Sequence, residues 1–431
     1  KYGTKHLAEL VEPGARLAES GYGVSPIFAA MVRNRPDTFI GLQKHVEGGR
    51  IYLRNGTLLQ AGDLLANPDL AASYRMIGEE GATAFYQGAI GAAIASEMRK
   101  GGGLITVGDL AGYRPVHQTP VAGAYKNTTL VSIGPPSSGG IVVIQCLNLL
   151  EELGMPKGDR YSTETLHILA EVMKLAYADR AHYVGDPGFN PVPVSGLLSR
   201  EYARQQAKTI DRTRAIQGRM YGDPWNYVKK SPHTTHLCVA DRDNNIVAIT
   251  QTIGGALGSG VVPPGTGIIL NHLMGDFSPM VGASQTHGFG IYTSRANAIG
   301  PGKTPTSSNA PTIVMQDGRP ILATGAAGGS HIPSAVLQII INALDYGMDI
   351  QEAINAPRIH DQGEGLEVEE VEKEVTETVR RELATRGHQV TVASKYNQAM
   401  ACFAQGISID LGEGRFSGGA DWRADGLAMA Y

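Results

Sequence analysis

From Thr234 to Ala240 the sequence alternates with the period of a half-buried strand, Thr235, Leu237 and Val239 on one face and Thr234, His236, Cys238 and Ala240 on the other. A turn follows at Asp241-Arg242-Asp243-Asn244-Asn245, and a second run of strand-forming residues extends from Ile246 to Thr252. The pattern predicts a β-hairpin with a loop of several residues. If its centre lies near Asp243, antiparallel pairing sets Thr252 opposite Thr234 with both hydroxyls on one face. Threonine pairs are ordinary strand content, so the rest of the chain must decide whether these hydroxyls do chemistry.

A chain of 431 residues makes one large or two ordinary domains, and 42% hydrophobic residues suffice for a sizeable core. Net charge is −4, from 37 basic and 41 acidic residues, which points away from nucleic acid and from a membrane surface as partners. No apolar run reaches the length of a membrane-spanning helix, and the first residues lack a signal-peptide pattern. Cys146, Cys238 and Cys402 are odd in number and widely spaced. They argue against a disulfide framework or a structural zinc site and read as small buried side chains. Glycine, 55 residues or about 13% against a usual ~7%, gathers in loops such as 254–267 and 325–329, where backbone must come close to something or take positive φ.

Residues 1 to about 115 read as helical, 117–134 as strands and 139–153 as a buried helix. Leu166, Leu169, Ala170, Met173 and Tyr177 give helical spacing across 163–183. The polar stretch 200–233 reads as a flexible segment. Strand candidates follow at 234–240, 246–252, 267–271, 312–316 and 320–324, with helices over 332–346 and 350–355. Val371, Val375, Val379 and Leu383 step by four towards Gly387, a helix stop. The acidic run from Glu367 to Glu374 reads as a solvated face. Gly300-Pro301-Gly302-Lys303-Thr304 ends like a phosphate loop, but Asn297 stands where the first glycine belongs. Neither HExxH nor GxSxG occurs, and no metal or cofactor is expected.

The string His233-Thr234-Thr235-His236 with Asp241 resembles the maturation site of the γ-glutamyltransferase family of N-terminal-nucleophile (Ntn) hydrolases. Collinear stretches match as well: Lys1-Tyr2-Gly3-Thr4, Gly102 to Thr106, Pro135-Pro136-Ser137-Ser138-Gly139-Gly140, Tyr177-Ala178-Asp179-Arg180, Gly185-Asp186-Pro187, Asp276-Phe277-Ser278, Ser307-Ser308 and Gly325 to Ser330. The resemblance implies an α/β fold, the αββα four-layer sandwich, built from both halves of the chain. It also implies autocleavage between His233 and Thr234, giving a large part, 1–233, and a small catalytic part, 234–431, that remain partners.

In that chemistry the freed α-amine of Thr234 takes the proton of its own hydroxyl, directly or through water. An α-amine of pKa about 7.7 is roughly one-sixth neutral at pH 7, enough to act as a base. By resemblance Thr252 orients the hydroxyl, the N–H groups of Gly328 and Gly329 receive the oxyanion, Asp276 holds a substrate α-ammonium, and Ser307 and Ser308 bind its α-carboxylate. His236 is not needed as a base.

Members of the family also carry a segment upstream of the position matching Lys1, with an arginine that grips the substrate carboxylate. Either the sequence is a fragment or another group replaces that anchor. The family's asparagine after the Thr252 region is here Gly254, and its glutamine before the aspartate is Leu273. With two polar partners gone, strict γ-glutamyl specificity is not implied. The expected reaction is hydrolysis of a small amide whose acyl group carries a carboxylate, of γ-glutamyl, glutaryl or oxamate type. A true γ-glutamyl transpeptidase and glutathione hydrolase is the alternative, and an uncleaved binding relative is another. The compartment stays open between cytoplasm and periplasm or exterior.

Overall fold

The computed structural model describes residues 3–33, 36–156, 158–218, 220–227, 236–278, 294–369, 374–393 and 402–430. His233 and Thr234 lie outside these. The chain divides into two compact units, one of residues 1–117 with 252–273 and the other of 118–251 with 274–431.

The first unit is mostly helical, as its sequence predicts, with two short antiparallel ladders that were not expected, Tyr22–Gly23 with Leu64–Leu65 and Leu53–Arg54 with Thr57–Leu58. Helix α1 (Leu7–Ser20) packs along α2 (Pro68–Glu80). Asn67 caps α2 by accepting from Leu70 N at 3.1 Å, ahead of a proline at the first helical position. The segment 252–273 joins this unit's core through Leu257 and Val262. The strand expected at 267–271 does not form. Gly267 has φ +63°, which strand geometry forbids, and the neighbouring carbonyls go to side chains: Asn67 Nδ2 donates to Gly267 O at 2.8 Å and Ser73 Oγ to Thr266 O at 2.7 Å.

The second unit is built on an antiparallel six-stranded sheet. Its strands are β1 (Val121–Tyr125), β2 (Thr128–Ser132), β5 (Thr312–Gln316), β6 (Arg319–Ala327), β7 (Phe403–Asp410) and β8 (Arg415–Ala420), in the order β8-β7-β6-β5-β2-β1. Strands β3 (His236–Ala240) and β4 (Ile246–Ile249) form the predicted hairpin, which packs on β6, while β3 also touches β7. Helices α3 (Gly139–Leu153), α4 (Thr163–Tyr183) and α5 (His331–Leu344) share one apolar core with the large sheet. Strand β6 is buried at both parities from Leu322 to Ala326, as expected of a strand covered on both faces. In α3 every residue from Gly139 to Leu150 is buried, so its apolar character runs all round rather than along a stripe.

The sheet joins strands from either side of position 233 along one seam, where β2 pairs with β5 through Leu130 and Val314. Three other local expectations change. Arg200–Ala207 is a helix capped by Ser199, where a flexible segment was expected. The late helix runs Glu377–Thr385 from its Thr376 cap. Glu369, in the acidic run, is 3% exposed and pairs with Arg423, so part of that run is interior. Of the three cysteines, Cys146 and Cys402 are buried and Cys238 is partly so; burial pushes the Cys238 thiol up to about 12, away from any reactive thiolate.

Candidate active site

The hairpin's register at Val239↔Val247 and Ala240↔Ile246 is the one that a centre at Asp243 predicts. By His236↔Ile249 it has slipped one residue through an irregularity, and β4 ends at Ile249. Thr252 therefore lies beyond the ladder. Its Oγ1 accepts the Gly254 N–H at 3.0 Å, and the next residue's carbonyl accepts from His272 N at 2.7 Å. Gly254 has φ +89°, and a Cβ there would sit 3.1 Å from His272.

Ser307 and Ser308 are held by the loop that starts α3. Ser137 bridges to Ser307 in parallel, and Ser138 N donates to Ser307 O at 2.9 Å. Ser138 Oγ also donates to Ser307 O, at 2.7 Å. Behind both lies Arg180, 7% exposed on α4, whose Nε donates to Ser138 Oγ at 2.8 Å and Nη2 to Ser308 Oγ at 2.9 Å. A hydroxyl has one proton to give. Because Ser308 Oγ accepts from the guanidinium, its own proton has no acceptor among the described residues and is available to an anion. Ser307 Oγ accepts from Asn309 N at 3.0 Å, and its contact with Ser137 Oγ is a long 3.3 Å, so its proton too can be redirected.

Asp276 ends the short turn Leu273–Asp276, and Asn297 ties that turn to the serine pair. Asn297 Nδ2 donates to Asp276 O at 2.8 Å, while its Oδ1 accepts from Thr306 N at 2.8 Å. The Asp276 carboxylate has no hydrogen-bond donor among the described residues. Burial pushes it up to about 7, against the lowering influence of the Arg180 charge. A half-buried carboxylate with an unused charge is thus tied through Asn297 to the segment that carries Ser308, whose hydroxyl proton has no acceptor among the described residues.

Gly328 and Gly329 connect β6 to α5 at φ +150° and +60°, conformations that favour glycine. His331 N and Ile332 N donate back to Gly328 O and Gly329 O at 3.2 Å each, opening the helix. The two glycine N–H groups find no acceptor among the described residues and sit at a helix N-terminus, which favours negative charge. Thus Asp276, Ser307, Ser308, Gly328 and Gly329 belong to the second unit and Thr252 to the first. Sequence reading assigned no role to Arg180 or Asn297: the Tyr-Ala-Asp-Arg motif flagged the first, and nothing local singles out the second.

His167, Glu171 and His388 are buried with their potential ligand atoms within 4.8 Å of one another. Those atoms are engaged. His167 Nε2 meets Asp211 O at 2.8 Å and must donate, so His167 Nδ1 accepts from His388 Nε2 at 2.7 Å. Lys174 Nζ, 2.8 Å from Glu171 Oε1 and 3.4 Å from His388 Nδ1, supplies the cation there. The cluster fits a structural hydrogen-bond chain better than a metal centre.

Helices over a large antiparallel sheet, a second sheet packed on it and a glycine pair leading into a helix define the class: this is the Ntn-hydrolase fold. A model of the γ-glutamyltranspeptidase family matches residues 1–431. The Escherichia coli (strain K12) glutathione hydrolase proenzyme is 39% identical over 432 residues, all of this chain and 73% of that protein. An acylase ACY 1 proenzyme of Pseudomonas sp. (strain SE83) is 36% identical over 433 residues, 100% of this chain and 72% of its own length. In structure the chain is similar to a cephalosporin acylase from Bacillus halodurans, with a TM-score of 0.84 and 28% identity over 100% of this chain and 75% of the other. The chain belongs to the γ-glutamyltranspeptidase family, and it is an Ntn hydrolase, an amide hydrolase or acyltransferase.

Proposed function

We propose that the chain is cleaved between His233 and Thr234, and that Thr234 then opens small amides whose acyl group carries a carboxylate. The hydroxyl attacks the amide carbonyl while the α-amine takes its proton. The tetrahedral oxyanion is received by Gly328 and Gly329 N–H, the amine leaves with a proton, and water releases the acyl group from the ester. Thr252, Ser307, Ser308 and Asp276 orient the nucleophile and the acyl head group.

The observation that carries this reading is the serine pair backed by Arg180: Ser308 accepts from a guanidinium and so turns its own proton outward, as a carboxylate would require. The unsatisfied Asp276 adds a specific reason to favour an α-amine beside that carboxylate, as in a γ-glutamyl group. Its likeness to both a glutathione hydrolase and an acylase agrees with an acyl preference between γ-glutamyl and glutaryl. Turnover of γ-glutamyl, glutaryl and oxamate amides, with and without a dipeptide acceptor, separates hydrolase from transpeptidase. Thr234→Ala should stay a single band on a denaturing gel and lose turnover; full activity of that variant removes Thr234 as nucleophile.

A further inference from the structure

Tyr177 and Arg180 sit one turn apart on α4 and therefore share a face. Arg180 reaches forward to Ser138 and Ser308, whereas Tyr177 reaches the loop that carries the glycine pair. Tyr177 Oη donates to Ser330 O and lies 3.1 Å from Ser334 Oγ, which is 2.8 Å from His360 Nδ1. Hydrogen-bond polarity fixes every proton along this line. A carbonyl only accepts, so the Tyr177 proton goes to Ser330 O. Tyr177 Oη must then accept from Ser334, and Ser334 Oγ from His360 Nδ1–H.

The chain runs one way, from His360 through Ser334 and Tyr177 to the carbonyl of the residue that follows Gly329. Tyr177 and His360 are 0% and 1% exposed, and their rings meet edge to face at 5.3 Å. Burial and the nearby charges of His331 and Arg180 hold His360 well below the usual histidine range, so it is neutral and its single ring proton is the Nδ1–H that Ser334 Oγ accepts. Gly328 and Gly329, which have no side chain to restrain them, are thus followed at once by a carbonyl fixed from the core.

We propose that Tyr177 and Arg180 are positioning residues that hold the two halves of the site from one turn of α4: Tyr177 aims the Gly328-Gly329 N–H groups, and Arg180 turns the Ser308 proton towards the acyl carboxylate. The proposal rests on the reading of the site given above. It separates two kinetic effects. The glycine donors act on charge that exists only in the transition state, so loosening them lowers kcat and spares KM. Ser308 acts on a carboxylate present throughout, so misdirecting it raises KM, and only for acyl groups that have the carboxylate.

The test compares glutaryl and pentanoyl p-nitroanilide, which differ in that carboxylate, with rates normalised to the cleaved protein. Tyr177→Phe keeps the ring and removes the hydroxyl; kcat should fall about 10- to 100-fold on both substrates with KM within about twofold, since small misplacement of reacting groups has effects of that order. Arg180→Lys keeps the charge but loses the fork that serves two serines at once. It should raise KM for glutaryl anilide about tenfold and leave pentanoyl anilide unchanged. Ser334→Ala, one step further back, should lower kcat less than Tyr177→Phe and serves if the tyrosine variant does not fold. General destabilisation would move kcat and KM on both substrates together for all three variants, and that result overturns the proposal. So does wild-type kcat in a folded Tyr177→Phe enzyme while Thr234→Ala is inactive. Activity in Thr234→Ala itself would bring down the underlying reading and the proposal with it.

Discussion

Asp276 shows how a single residue can be held at a cost to the fold. Its carboxylate stands near 7 because burial disfavours the charge and no donor among the described residues compensates for it. An α-ammonium binds the ionised form, so KM for γ-glutamyl amides should fall as pH rises from 6 to 8, while KM for glutaryl amides stays flat. A parallel pH dependence for the two would remove Asp276 from the head-group pocket. The same shift has a sign for stability. The folded-state value lies above the unfolded ~3.9, so the native state binds more protons between them and stability is lost as pH rises through that window. Asp276→Asn should therefore raise Tm most above pH 7 and leave it nearly unchanged at pH 4, a gain obtained by giving up function. Asp276 and the serine pair were legible from motif resemblance alone. Asn297 was not, because its two hydrogen bonds join residues 21 and 9 positions away and leave no local pattern. Gly254 reads from sequence as a lost polar partner, but φ +89° and a Cβ site 3.1 Å from His272 give the glycine its own steric reason. Asparagine tolerates this region better than most residues, yet Gly254→Asn should still lower stability by about 1 kcal/mol in urea unfolding. Leu273→Gln is the cleaner probe of γ-glutamyl preference.

Among elements, those with a strong period were legible and those set by distant partners were not. Helix α4 occupies 163–183 as its apolar spacing predicts, and α3 was readable as a buried helix after the Pro-Pro-Ser-Ser-Gly-Gly turn. The missing strand at 267–271 and the interior Glu369 escaped, because Asn67, Ser73 and Arg423 decide them and none is near in sequence. The hairpin was found together with its register near the turn, but the one-residue slip between His236 and Val239 is invisible to alternation. The start of α3 gives a sharp test of how elements place the site. A Cβ on Gly139 would fall 2.2 Å from Asn309 O and 2.6 Å from Ser308 O, both rigid backbone. Gly139→Ala must push the 307–309 segment away from α3. It should lower stability by about 1–3 kcal/mol and raise KM for carboxylate-bearing amides more than for uncharged ones. Unchanged KM on both in a folded variant would show that the serine pair tolerates displacement.

At the scale of the whole molecule, the cut expected at 233 and the division into compact units are different things. Both parts of the chain contribute to the second unit: β1, β2, α3 and α4 come from before position 233, and β5 to β8 with α5 from after it. Strand β2 lies between β1 and β5, paired to the latter over Thr129 to Ser132. Helix α3 packs on α5 in a shared core of fully buried residues such as Ile144, Leu147, Ile339 and Ile340. Parting the two products would expose that core and an unpaired edge on β5, with each large aliphatic side chain contributing about 1.5–3 kcal/mol to the association. Cleavage should therefore leave one particle. The products should co-elute on native gel filtration at the mass of the uncleaved protein or a multiple of it and separate only under denaturing conditions. Once separated they should not regain activity by simple mixing at low concentration, since β2 must re-pair with the edge of β5 while α3 repacks against α5. Elution of a soluble, folded 234–431 fragment on its own would mean that the β2–β5 seam and the shared core are not what joins them.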